Sequence, residues 1–399
     1  MHVAIIGAGQ AGAALAARLR ALGHTGPVTL IGDEPVAPYQ RPPLSKAYLL
    51  GDLPLDRLLL RAPDFWAAQG IRLLTGLPVT VVDTGARTLT AGGETLMWDH
   101  LAFTTGSRVR RLPAAMGGDL PGVHYVRTLS DVDGMAPEFL PGRRVLIVGG
   151  GYIGLEAAAV AAKKGLTVTL VEAAPRILQR VAAPQTSDWF RALHSRHGVT
   201  LLEGTGLARL TGGLCVDGAD LADGRHIPCD FAIIGVGILP ETALAEAAGL
   251  AIDNGIATDA QGRTSAPGVW AAGDCASFPH GDIRLRLESV PGAIDMAECV
   301  AENILGAGRT YVAKPWFWSD QYDVKLQIAG LNTGYTSVVI RDGGAARSHW
   351  YYAGERLLAV DAMNDPRAFM IARRLIDAGR TADPALVANP ATDLKGLLA

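Results

Sequence analysis

Residues 3–15 read Val-Ala-Ile-Ile-Gly-Ala-Gly-Gln-Ala-Gly-Ala-Ala-Leu, and residues 28–34 read Val-Thr-Leu-Ile-Gly-Asp-Glu. The run from Val3 to Ile6 is short, apolar and mostly β-branched, which suits a buried parallel strand. Gly7, Gly9 and Gly12 then give the spacing G-x-G-x-x-G. Gly7 permits a tight turn, Gly9 lets a pyrophosphate approach the backbone, and Gly12 lets the next helix pack closely on the strand. The Ala/Leu-rich stretch from Ala13 to Leu22 is that helix, with its free N–H groups and dipole facing the phosphates. A second strand is expected over Val28 to Ile31. Asp33 follows Gly12 by 21 residues, where a carboxylate accepts from a ribose hydroxyl.

The same pattern returns 142 positions later. Val145-Leu-Ile-Val-Gly-Gly-Gly-Tyr-Ile-Gly-Leu-Glu156 places Gly149, Gly151 and Gly154 on Gly7, Gly9 and Gly12, with Ile153 between the last two. Val168-Thr-Leu-Val171 matches Val28 to Ile31, and Glu172 follows at once. Two successive dinucleotide folds imply two bound dinucleotides. At the end of the second strand, Glu172 accepts from a ribose 2′-OH and repels a 2′-phosphate, which favours NADH over NADPH. Arg176 or Arg180 is the competing signal, since either could meet a 2′-phosphate. Gly237, in a Gly-x-Gly turn after the strand Ala232 to Gly235, is expected near the second dinucleotide.

The fold class that follows is α/β, with two Rossmann-like dinucleotide-binding domains and a small C-terminal α+β domain. The expected limits are 1–109 and 241–315 for the first domain, which the second, 110–240, interrupts, and 316–399 for the third. Thr105-Gly106 ends a strand at the first crossover, and Gly273-Asp274 ends another after the return. From Trp316 the pattern turns to short strands. The helix of residues 366–379 should bury Phe369, Ala372, Leu375 and Ile376. The residues after Asp383 read as a short tail.

Hydrophobic residues make up 49% of the 399 and charged residues 19%, which fits a globular chain with a sizeable core. A net charge of −3 is no match for nucleic acid as a partner. Cys215, Cys229, Cys275 and Cys299 form no C-x-x-C or C-x4-C pair, which argues against a metal or iron–sulfur site and against a redox disulfide between sequence neighbours. The first strand begins at residue 3, leaving no room for a signal peptide, and no apolar run reaches about eighteen residues. A cytoplasmic protein with no membrane contact is expected. Its oligomeric state is not legible.

Pro38-Tyr-Gln-Arg-Pro-Pro-Leu-Ser-Lys46 carries Arg41 and Lys46 into the cofactor-binding site on a backbone stiffened by proline. Arg-Pro-Pro-Leu-Ser-Lys after a first dinucleotide fold resembles the FAD-dependent ferredoxin and rubredoxin reductases, the NADH-using partners of Rieske dioxygenases and haem monooxygenases. Apoptosis-inducing-factor flavoproteins share the feature. The resemblance covers essentially the whole chain. It implies FAD bound by Gly7, Gly9, Ala11, Gly12, Asp33, Lys46, Val79, Arg127, Asp274 and Val290. It also implies Thr105-Gly106 as a second flavoprotein fingerprint and Trp318 beside the flavin where a ferredoxin docks. Lys46 and Glu156 are expected to face each other at the flavin's reactive edge as the catalytic pair. The activity implied is hydride transfer from NADH to FAD and single-electron transfer to a separate 2Fe–2S ferredoxin that supplies an oxygenase. A rubredoxin is the alternative acceptor, and an NADH-binding signalling flavoprotein the alternative class. Disulfide and peroxide reductases share the two-copy architecture but need a cysteine near Pro42 to Ser45, or a C-x4-C on the helix after the first fold, and this chain has neither.

Overall fold

The computed structural model of the chain describes residues 1–398. The chain forms two compact units. One comprises Met1–Gln40, Leu55–Arg108 and Ile238–Pro315; the other comprises Arg41–Pro54, Val109–Gly237 and the residues from Trp316 on.

The first unit is built on a parallel sheet of five strands, in the order Val269–Ala271, His100–Phe103, Val3–Ile6, Val28–Ile31, Ile71–Leu74. Val3 lies opposite both Val28 and His100, so the central strand is hydrogen-bonded on both edges. Val3, Ala4 and Ile5 are fully buried. Burying a side chain the size of Val or Ile contributes about 1.5–3 kcal/mol, which is why this stretch has no polar residue. Helix Gln10–Ala21 covers the sheet and packs on helix Val290–Ile304. The latter starts at Ser289, whose Oγ accepts from the Gly292 N–H at 3.2 Å. Strands Val79–Asp83, Thr88–Ala91 and Glu94–Met97 form a separate antiparallel sheet.

The second unit repeats the parallel sheet, in the order Thr200–Glu203, Thr167–Glu172, Arg144–Val148, Phe231–Ile234, Val123–His124. Helix Tyr152–Lys163 takes the place of Gln10–Ala21. From Trp316 a five-stranded antiparallel sheet follows, in the order Trp316–Gln321, Val324–Gly330, Arg356–Met363, Arg347–Ala353, Ser337–Asp342. Helix Pro366–Asp377 packs on it with Phe369, Ala372 and Leu375 buried, and Asp365 caps its start by accepting from the Ala368 N–H at 3.0 Å.

The end of the chain differs from the tail read in the sequence. Residues 384–388 form a helical turn and 394–398 a 3-10 turn, and Val387 and Leu394 are buried in the core. The Arg341 guanidinium anchors this stretch by donating to the carbonyls of Val387, Asn389, Pro390 and Thr392. Too few apolar residues recur there to give a period, and backbone acceptors carry no sequence signal.

A buried polar cluster joins helix Pro184–Arg196 to the antiparallel sheet. Thr186 Oγ1 donates to Asp361 Oδ2 at 2.7 Å, the Tyr351 hydroxyl donates to the same oxygen, and His349 Nδ1 donates to Thr186 Oγ1 at 2.7 Å. Burial pushes the Asp361 carboxyl up to about 6, against the donors from Tyr351 and Thr186. An unfolded aspartate ionises near about 3.9. The folded chain therefore keeps this proton to higher pH. The resulting stability is full below the unfolded value and is lost as pH rises through the folded one. His194 and His349, held down to about 4 by burial, act in the opposite sense in the same window. The comparison of wild type with Asp361→Asn isolates the carboxyl. Urea midpoints measured from pH 4 to 7 are expected to show wild type losing stability relative to the variant as pH rises. A gap independent of pH would contradict the assignment.

Candidate functional site

In the first unit the glycine turn has the geometry that its spacing requires. Gly7 has φ +107°, and a Cβ on it would stand 2.3 Å from the Thr104 carbonyl oxygen. A Cβ on Gly12 would stand 2.1 Å from the Gly7 carbonyl oxygen. Gly9 has nothing within 4 Å of that position and forms the N-cap of helix Gln10–Ala21, with no side chain capping it. An open glycine under an uncapped helix N-terminus fits a pyrophosphate. Gly273 brings the return strand against the same place, since its Cβ would lie 2.9 Å from that of Ala11. Asp274 follows and accepts from Ser107 Oγ at 3.0 Å. Thr105 Oγ1 donates to the Glu241 carbonyl at 2.6 Å, and Gly106 has φ +70°. Asp33 is exposed just past its strand and accepts from the Glu34 N–H at 3.0 Å. Val290 opens the helix that packs on Gln10–Ala21. Val79 is on the antiparallel sheet, outside the parallel one.

The second unit reproduces the cradle. Gly149 has φ +110° and its Cβ would meet the Gly235 oxygen at 2.3 Å; that of Gly154 would meet the Gly149 oxygen at 2.0 Å; Gly151 is open and caps Tyr152–Lys163. Ile153, in the first turn, is 44% exposed, an apolar surface beside the open glycine. Glu172 closes its strand. Its carboxylate accepts from the Gly150 N–H at 2.6 Å and the Ala174 N–H at 2.7 Å, which holds it at the glycine turn. Of the two competing arginines, Arg176 is tied by Nη1 to Ser187 Oγ at 2.6 Å. Arg180 is exposed, with Nη2 3.9 Å from the Cβ position of Gly237, so these two predicted residues are brought together.

The Arg-Pro-Pro-Leu-Ser-Lys turn belongs to the second unit through its bonds. Arg41 Nη1 donates to the Arg127 carbonyl at 2.6 Å, and the Tyr48 hydroxyl donates to Asp133 at 2.7 Å. Lys46 Nζ lies 2.7 Å from Glu156 Oε2. Glu156 is 2% exposed, and two further donors meet it: Ser45 Oγ at 2.6 Å on Oε2 and Ser319 Oγ at 2.7 Å on Oε1. A buried carboxylate is tolerated only when its lone pairs are taken up, and three donors, one of them cationic, do so here. Trp318 is half-buried on the strand that carries Ser319, 5.6 Å from Trp316 and 6.4 Å from Phe317 between ring centres.

Ser45 and Ser319 are the residues that sequence reasoning missed. Ser45 stood inside the proline-rich motif between two residues that drew the attention. Ser319 gave no signal, since nothing local distinguishes a serine on a strand until Glu156 is seen beside it.

Cysteine chemistry finds no foothold near the cradle. Cys275, next to Asp274, is fully buried, its Sγ donates to the carbonyls of Phe103 and Ala272, and burial pushes its thiol up. A thiol so protonated is a poor nucleophile. Cys215 is exposed, whereas Cys229, Cys275 and Cys299 are buried.

Residues 1–297 match the model of the family described as pyridine nucleotide-disulphide oxidoreductase, and residues 316–398 match that described as reductase C-terminal. Putidaredoxin reductase CamA of Pseudomonas putida is 40% identical over 410 residues, covering 100% of this chain and 97% of that protein. A ferredoxin–NAD(P)(+) reductase of Sphingomonas sp is 42% identical over 408 residues, covering 99% and 97%. Among solved structures, the covalent putidaredoxin reductase–putidaredoxin complex is 38% identical with a TM-score of 0.96, covering 100% of this chain and 98% of that one. A ferredoxin reductase for the CYP199A2 system from Rhodopseudomonas palustris gives the same identity and TM-score, covering 100% of both chains. The chain belongs to the pyridine nucleotide-disulphide oxidoreductase family, as a ferredoxin reductase of the putidaredoxin reductase type.

Proposed function

We propose that this ferredoxin reductase uses NADH, holds FAD in its first dinucleotide fold, and delivers electrons one at a time to a 2Fe–2S ferredoxin that feeds an oxygenase. The observation that carries this reading is the duplicated cradle, Gly7, Gly9 and Gly12 repeated as Gly149, Gly151 and Gly154 with the same close approaches and the same open middle glycine. FAD, when bound, supplies the conversion of a two-electron hydride donor into single electrons. The functional limits that we propose are 1–109 with 241–315 for FAD, 110–240 for NADH and 316–399 for the ferredoxin-facing domain. The setting that we propose is the cytoplasm, where free thiols such as Cys229, Cys275 and Cys299 stay reduced.

The residues act as follows. Asp33 and Asp274 accept hydrogen bonds from hydroxyl groups, one from an adenosine ribose and the other from the ribityl chain of FAD. Glu172 accepts from the NADH 2′-OH, and its charge disfavours a 2′-phosphate. Arg176 is already committed to Ser187, which weakens the case for NADPH. Arg180 and Gly237 flank the second dinucleotide. Arg41 and Arg127 brace the turn that carries Lys46. Lys46 presents a cation where negative charge develops during hydride transfer, and Glu156 fixes that cation in place. Trp318 offers an aromatic surface on the ferredoxin side.

Two experiments test this. Gly154→Ala is expected to purify with a full complement of flavin and to lose NADH-dependent bleaching, whereas Gly12→Ala is expected to lose the flavin itself. Flavin content and anaerobic bleaching distinguish them, and loss of flavin from Gly154→Ala would reverse the assignment of the two folds. Lys46→Met is expected to slow single-turnover bleaching by NADH about 10²-fold, the order seen when one preorganised electrostatic partner is removed. An unchanged rate would remove Lys46 from the reaction.

A further inference from the structure

A line of buried side chains runs from the surface of the second unit to Glu156. The Tyr322 hydroxyl lies 3.2 Å from His194 Nδ1, and His194 Nε2 lies 2.8 Å from Gln321 Oε1. Gln321 Nε2 lies 3.2 Å from Ser319 Oγ, and Ser319 Oγ lies 2.7 Å from Glu156 Oε1. His194 and Ser319 are 0% exposed, Gln321 1% and Glu156 2%, so water has no part in these bonds.

The direction of every bond follows from its last member. An ionised carboxylate only accepts, so Ser319 spends its one proton on Glu156. Ser319 Oγ must then accept from Gln321, which turns the amide nitrogen toward Ser319 and its oxygen toward His194. That oxygen needs a donor, so His194 carries its proton on Nε2. Its Nδ1 is then bare and accepts from Tyr322. Burial, the main cause, holds His194 down to about 4, so the neutral tautomer that this order requires persists at neutral pH. All four bonds point toward Glu156. The amide in the middle makes this a device for orientation and not a proton conductor.

We propose that Ser319 is a positioning residue for the Lys46–Glu156 pair, its hydroxyl aimed by a one-way relay from Tyr322 through His194 and Gln321, so that the strand bearing Trp318 sets how Glu156 holds Lys46. The inference rests on the hydride-transfer reading given above. Lys46 and Ser45 take Oε2, which leaves Ser319 as the donor on Oε1. Without it the carboxylate is free to turn, and its charged form loses one of three stabilising donors. Two other titratable groups face Glu156: Lys46 from the proline-rich turn, and Tyr152 on its own helix, whose ring packs 4.9 Å from that of Phe317. On strand Trp316–Gln321 the alternation turns Asp320 to the face opposite Ser319.

The test is anaerobic single-turnover bleaching of the flavin-loaded enzyme by NADH, followed against NADH concentration, for wild type, Ser319→Ala and Ser319→Thr. Ser319→Ala is expected to lower the rate about tenfold, with NADH affinity changed by less than about twofold, because the bond lost is to a charge. Ser319→Thr, which keeps the hydroxyl, is expected to restore the rate. Ser319→Cys serves if the alanine variant does not fold, and is expected to show the same loss with the same NADH affinity. A substituted enzyme that folds, with wild-type rate, overturns the relay and leaves the reductase reading intact. So does a slowed enzyme that also binds NADH correspondingly more weakly, or that threonine does not restore, which marks Ser319 as core packing alone. A wild type that NADH does not bleach overturns both readings.

Discussion

The contact between a glycine Cα and a carbonyl oxygen is what the architecture depends on. Gly12 lies against the Gly7 oxygen and Gly154 against the Gly149 oxygen so closely that no Cβ fits. That approach draws each helix onto its strand, and the helix N-terminus, with its unpaired N–H groups, then stands over an open glycine. In both copies the central strand is followed outward on one side by the next two strands of its sheet in sequence and flanked on the other by a later one; only the edge strand beyond that differs, Val269–Ala271 coming last in the first sheet and Val123–His124 coming before the central strand in the second. Two anion-ready helix ends follow from one local constraint used twice. The chemistry placed around each end differs by single residues: Gly32 and Asp33 follow the strand in one copy, and Glu172 ends it in the other.

Glu156 is the second organising element. It lies on a helix whose other buried residues are Gly, Leu, Ala and Val, where a carboxylate would be costly without partners. Its donors come from the proline-rich turn and from the strand that opens the antiparallel sheet, so one carboxylate ties three stretches far apart in sequence. This explains why Arg41–Pro54 groups with the second unit although it sits in sequence between two strands of the first sheet. It also gives Lys46 a defined direction, and direction is what a cation needs if it is to act on charge that develops at one place.

Much of this was legible in the sequence, for physical reasons. The cradles announce themselves because only glycine satisfies the turn and the close approach, and the repeat at 142 positions excludes accident. The Lys46–Glu156 pairing came from family resemblance; the spacing of the two residues says nothing about it. What stayed hidden was held by tertiary contacts without a period. Ser319, Gln321 and His194 look like ordinary strand and helix residues. The Thr186–Asp361–Tyr351 cluster joins three segments more than a hundred residues apart at its extremes. The packed C-terminal turns depend on Arg341 finding four carbonyls. The pairing of Arg309 with Glu302 at 2.7 Å is likewise something only the fold reveals.

Entry of a two-electron donor and exit of single electrons to a protein acceptor fix a stoichiometry. It is read at the iron–sulfur absorbance when the flavin-loaded enzyme is mixed anaerobically with limiting NADH and an excess of oxidised 2Fe–2S ferredoxin. About two ferredoxins reduced per NADH consumed is the expected result. Consumption of NADH with the ferredoxin left oxidised, and electrons appearing instead on a disulfide or on dioxygen, would contradict it.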